Sequence, residues 1–186
     1  MPQDFLGVFG AFGFASAAGL NAWVTLFLVA LAGRLGFLTL SSPYDVMTSL
    51  PVLVGLFIMM LIEGLADKIP LVDHASHLVH MVLQPIAGAI LFASQAHVIT
   101  SISPVVAFFV GALIAGSIHS ARATIRPVVT VSTLGTGNAV VSAAEDVAAI
   151  TITIGSIVAP VLGLLFVVLF LWLGVWLWRR RRRIAG

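Results

Sequence analysis

Apolar residues run along this chain in long stretches separated by short polar corners. Five long intervals, each of at least 17 residues, hold no Asp, Glu, Lys or Arg: 5–33, 46–62, 74–121, 127–144 and 147–178. A helix needs roughly 20 residues to cross about 30 Å of hydrocarbon, so the intervals read as membrane spans. The first is either one long helix or a broken one, with Gly13, Gly19 and Asn21 as break points. The second predicts one span over 50–67. The third is long enough for two, 78–95 and 104–119, separated by the turn-like Ser101-Ile102-Ser103-Pro104. A fifth span is predicted over 133–154 and a sixth over 157–178. The expected architecture is therefore an all-α integral membrane protein with six transmembrane helices, some of them broken. It forms a single polytopic domain over 1–186 with a basic tail at 179–186.

A three-plus-three inverted repeat is a common way to arrange six spans. Gly19-Leu20-Asn21-Ala22 resembles Gly135-Thr136-Gly137-Asn138-Ala139, and Glu63/Asp67 has a counterpart in Glu145/Asp146. The spacing gives the repeat no support, because Asn21 lies 42 residues before Glu63 while Asn138 lies seven before Glu145. Basic residues set the orientation. With both termini cytoplasmic, Lys68, Arg122, Arg126 and Arg179 to Arg183 lie inside and only Arg34 lies outside. Trp172, Trp176 and Trp178 suit an interfacial belt. The expected location is the cell (inner) membrane, multi-pass, with both termini cytoplasmic.

Composition agrees. Of 186 residues 60% are hydrophobic and 9% charged, and mean hydropathy is +1.16. A soluble domain carries about 25% charged residues. The absence of cysteine excludes disulfides, zinc-thiolate sites and thiol catalysis. The pI near 9.9 reflects the tail, which holds five of the nine basic residues, so nucleic acid is not an expected partner. Asp4 in place of a basic leader, and the length of the first apolar run, argue against a removable signal peptide.

The chain's chemistry is concentrated in two polar segments. Residues 63–80 hold three of the seven carboxylates and three of the five histidines. Glu63 and Asp67, four apart, share one helix face. Pro70 ends that helix, and Asp73 is placed to cap a new one bearing His74, His77 and His80. Those four residues are metal-ligand types at helical spacing; two can chelate one ion, and Zn, Fe, Mn or Ni would suit them. The alternative is an interfacial helix whose histidines face headgroups. In the second segment Asn138, Ser142 and Glu145 fall at i, i+4 and i+7, with Asp146 four beyond Ser142. By helical rise Glu145 lies about 18 Å into its span. Ionisable groups at such depth are costly and point to function. The alternative for Glu145 and Asp146 is an ion pair with Arg122 or Arg126 that locks helices together. His119 most simply hydrogen-bonds a neighbour. No nucleophile motif or phosphate loop is present, so transport would run on an ion or proton gradient and an enzyme is not favoured.

The pattern E-x-x-x-D-K-x-P at Glu63 to Pro70, followed by G-N-x-x-x-S-x-x-E-D at Gly137 to Asp146, resembles the membrane family called domain of unknown function 4126. The likeness covers most of the chain and implies that Glu63, Asp67, Lys68, Asn138, Glu145 and Asp146 belong to one site. Locally, Glu63-Gly64-x-x-Asp67-x-x-Pro70 is similar to an acidic segment of undecaprenyl-pyrophosphate phosphatases and to a motif of small cation exchangers. The phosphatases carry serines where this chain has Val72-Asp73. The expectation is a secondary transporter or exchanger of a cation, a divalent metal ion above all. Glu63, Asp67, Glu145 and Asp146 would bind it, with Asn21, Asn138 and Ser142 as neutral ligands. The first alternative is a lipid-phosphate enzyme or flippase with Lys68, Arg122 and Arg126 on phosphate; the second is a non-transporting scaffold. Expected partners are the bilayer, a small ion or small-molecule substrate and a second copy of the chain.

Overall fold

The computed structural model of the chain describes residues 2–66, 70–95, 102–133, 137–162 and the positions 165, 168, 169, 172 and 176. Its side chains exclude 2–6, 66, 70–78 and 139. Among the described residues the fold is all-α: α1 Pro2–Leu20, α2 Ala22–Arg34, a 3-10 turn Tyr44–Thr48, α3 Leu50–Ala66, α4 Pro70–Ala93, α5 Pro104–Thr133 and α6 Gly137–Val158. By length and composition α5 and the Val140–Val158 part of α6 are able to cross a membrane. Phe57, Ile58, Leu61, Ile62 and Leu65 of α3 are exposed, as suits a surface facing lipid. The described residues are consistent with an all-α membrane protein.

The first apolar interval is broken, and the break is Asn21. Its extended backbone (φ −145°, ψ 110°) interrupts the helix, and its side-chain oxygen accepts from Val24 N at 3.0 Å to cap α2. The two arms of the resulting V lead to the same end of the bundle. Phe12 of α1 meets Phe92 edge-on near the end of α4, and Ser41, beyond α2, donates from its backbone to Ser94 O. Tyr44 packs against the buried clusters of both arms. α2 ends in a Schellman turn: Phe37 N donates to Ala32 O and Gly36 N to Gly33 O, with Gly36 at φ +80°. Arg34, in the last turn, donates to Thr48 O at 3.0 Å.

Two boundaries differ from expectation. α4 starts at Pro70, so Asp73 sits within its first turn and is not its cap. Proline fits a first helical position because the missing N–H has no intrahelical partner there. α5 does not stop near His119 but continues through Arg122, Arg126 and Pro127 to Thr133. The two arginines need no aqueous loop, because α6 and the carbonyl end of α1 supply their partners.

Small residues bring the helices close. Ala11, Ala15, Ala17 and Ala18 of α1 are fully buried between α4, α5 and α6. A Cβ on Gly19 would lie 2.6 Å from Ala115 O and 2.7 Å from Ile118 Cβ, so the apex of the V rests directly on α5. Gly88 and Gly111 do the same for α4 against α5. This is how apolar helices associate where dispersion contacts must replace a hydrophobic driving force.

Candidate functional site

The carbonyl end of α1 is buried, and its last groups lack intrahelical partners. Arg122 of α5 donates through Nη1 to Leu20 O at 2.6 Å. Gln84 of α4 completes the cradle. With its amide nitrogen towards Gly19 O (2.9 Å) and His119 Nδ1, its oxygen accepts from Arg122 Nη1 at 2.8 Å. That orientation gives Gly19 O, His119 Nδ1 and Arg122 Nη1 each a partner and gives up only a 3.3 Å bond to Leu20 O, which Arg122 already serves, whereas the reverse sets oxygen against the Gly19 carbonyl. His119 Nδ1 is then an acceptor, and the neutral ring carries its proton on Nε2.

On the other side of Arg122 lies Glu145 of α6. Its Oε2 accepts from Arg126 Nη2 at 3.2 Å and forms an ion pair with Arg122, whose Nε lies 2.7 Å away. Two guanidiniums therefore converge on one carboxylate oxygen, and Glu145 is only 8% exposed. The neighbouring Asp146 turns elsewhere, since adjacent helical residues point about 100° apart. Its Oδ1 accepts from Asn21 Nδ2 at 2.8 Å, beside the amino end of α2, whose dipole favours a negative charge. Asn21 thus uses its oxygen on the cap and its nitrogen on Asp146. The cap alone is worth about 1 kcal/mol.

Glu63 of α3 belongs to a second pair. His80 Nε2 lies 2.9 Å from Glu63 Oε1, and both side chains are buried. Glu63 Oε2 has no hydrogen-bond partner among the described residues. The two pairs meet across a small polar cavity lined by His80, His119, Arg122, Ala123 and Arg126. Its free volume of about 10 Å³ is near the lower limit for a single water. A larger cleft of about 300 Å³ between α4 and α5 shares His119 and Ala123 with it.

Glu63 and Glu145 therefore reach the cavity only through their partners His80, Arg122 and Arg126, while Asp146 and Asn21 bond each other, so the four do not form one ligand shell. Asn138 lies apart: its Oδ1 accepts from Thr130 at 3.0 Å and stitches α5 to α6 near their connection. Half-buried Ser142 follows one turn later on α6. Asp67 and Lys68 lie outside the described residues, as do the side chains of Asp73, His74 and His77 and the whole of His97. Among the described residues no three metal-ligating side chains form a group. Sequence reasoning missed Gln84. Its one signal was an amide inside the apolar run of α4, where a buried polar group must find partners.

A family model described as a domain of unknown function, DUF4126, matches residues 8–180. No curated protein and no solved structure matches the chain, so the short likenesses to phosphatases and exchangers stand on their residues alone.

Proposed function

The chain belongs to the DUF4126 family, and from that premise we propose a multi-pass membrane transporter or exchanger whose substrate is anionic. One observation carries the reading: Arg122 and Arg126 converge on a single oxygen of buried Glu145 beside a broken helix. Two guanidiniums at one point form a site for a carboxylate or phosphate oxygen. Glu145 occupies that site as an internal ligand, and an entering anion would compete with it for the arginines. Discontinuous helices with polar termini in the protein interior are a recurring part of transporter sites, which fits the V of α1 and α2. The cation expected from the acidic residues has less support. Glu145 is already held by two positive charges, and Asp146 and Asn21 are bound to each other.

The test is thermal stability of the detergent-purified protein against phosphate, sulfate, Na⁺ and divalent cations, since a ligand of the folded state raises stability by mass action. Phosphate is expected to raise Tm, and Arg126→Gln to abolish the rise. A rise with divalent cations, lost in Glu63→Gln and Glu145→Gln, would return the site to cation binding.

In the proposed setting the Arg122–Arg126 end faces the cytoplasm of the cell (inner) membrane, with the five-arginine tail. With both arms of the V leading to the opposite end, this setting would put the N-terminus outside, whereas a single span over 5–33 would keep both termini cytoplasmic. The cysteine-free chain permits single-cysteine labelling. An impermeant thiol reagent added to intact cells should modify Gln3→Cys and Ser42→Cys, and Ser132→Cys only after permeabilisation. Gln3→Cys behaving like Ser132→Cys would restore the complete span.

A further inference from the structure

The cleft between α4 and α5 is lined by Met81, Pro85, Gly116, Ser120, Ala123 and His119. Its outer part is apolar, with Met81 62% exposed on the rim. Its inner wall, His119 and Ala123, is also the wall of the cavity where Arg122 and Arg126 lie. Gly116 faces Pro85 in it: a Cβ there would stand 3.6 Å from Pro85 Cγ, so the glycine leaves ordinary contact space unfilled. An apolar trough about 300 Å³ in volume thus lies against His119 and Ala123, which also wall the small cavity lined by the half-buried Arg122 and Arg126. An inorganic ion has no use for the trough, and a neutral lipid has no use for the arginines. Charge and shape complement only a molecule that is both chain and anion.

We propose that the site binds a lipid phosphate, entering sideways between α4 and α5, with its alkyl chain along Met81, Pro85 and Gly116 and its phosphate directed at Arg126 and Arg122. This rests on the anion reading above and narrows it to a substrate class. Ala123 is the threshold between chain and head. Arg126 is the first cation met, because its side chain is the less buried of the two arginines, 19% exposed against 9%. The phosphate displaces Glu145 from Arg126, while Arg122 stays fixed on Leu20 O and Gln84. Nothing in this step breaks a covalent bond.

The experiment measures binding of dioleoyl phosphatidic acid, dioleoylglycerol and inorganic phosphate to the purified full chain in detergent. Wild type is compared with Gly116→Leu, Ala123→Leu and Arg126→Gln. Phosphatidic acid is expected to bind at least tenfold tighter than either other probe. Filling the trough with Gly116→Leu or Ala123→Leu should weaken phosphatidic acid at least tenfold and leave inorganic phosphate unchanged; the second variant serves if the first does not fold. Arg126→Gln should weaken both phosphates. Dioleoylglycerol binding as tightly as phosphatidic acid would overturn the proposal. So would inorganic phosphate binding as tightly as the lipid, with both trough variants silent, although the anion site would then stand. No phosphate dependence in any probe would remove both readings.

Discussion

Arg122→Met is expected to destabilise the protein by about 3–5 kcal/mol, the usual cost of removing one partner from a buried ion pair. Arg122 is 9% exposed at its side chain and serves three elements at once: Glu145 of α6 at 2.7 Å, Leu20 O at the apex of the V at 2.6 Å, and the Gln84 oxygen of α4. Methionine keeps most of the stem's volume but leaves the carbonyl end of α1 without its donor. Glu145 is left with Arg126 alone at 3.2 Å. The double variant Arg122→Met/Glu145→Leu should be more stable than Arg122→Met by at least about 1 kcal/mol, because the orphaned carboxylate is gone. Unfolding in mixed micelles with increasing SDS measures both. A change within about 0.5 kcal/mol for the single variant, the range of ordinary surface substitutions, would show that the pair is solvated and not a structural lock.

The second large effect belongs to a residue with no chemistry. Gly111→Ala should cost about 3 kcal/mol, the upper end for overpacking. The added methyl would run into Gly88 O and lie 2.6 Å from Phe92 Cβ and 2.9 Å from Ala89 Cα. Two of these are backbone atoms of α4, so no rotamer change relieves the clash and the helices must separate. Gly55, by contrast, has nothing near its Cβ position, and Gly55→Ala should be neutral or slightly stabilising through helix propensity. Equal behaviour of the two variants in the same SDS titration would show that α4 and α5 do not cross at Gly88 and Gly111.

Both effects bear on how a transporter of this design would work. Arg122 is held from the α1 side by the Leu20 carbonyl, and both arginines are held from the α6 side by one carboxylate. In the proposed transporter a substrate anion would therefore replace a single internal ligand without dismantling the apex. The tight glycine crossing of α4 and α5 lies one to two turns from the cleft at Gly116, so the trough opens beside a rigid joint.

The pattern of apolar intervals was enough to find α3, α4 and α6, because long charge-free runs of helix-compatible length have few other physical solutions. It also offered Asn21, beside Gly13 and Gly19, as a candidate break point of the first interval, and it marked Glu145 as a buried acid and His119 as a hydrogen-bonding partner. It misread α5, because charges in a sequence look like a loop when their partners are unknown. Arg122 and Arg126 are tolerated inside one helix because Glu145, 19 to 23 residues further on, folds back beside them and Leu20 O accepts from Arg122. Gln84 was overlooked for the same reason: an amide in an apolar run shows nothing until the Gly19 carbonyl, His119 and Arg122 are brought against it.

The amino-acid sequence by itself therefore determined the class of protein, its helical composition and the residues too polar to be accidental in apolar surroundings. Those properties depend on local free energies of transfer, which add up along the chain. Only the tertiary structure decided which charges neutralise one another. It also turned the first interval into a V and divided the acids between two pairs, Glu63 with His80 and Glu145 with two arginines. Pairing depends on distances between residues far apart in the chain, and those are set by the close packing of Ala and Gly faces.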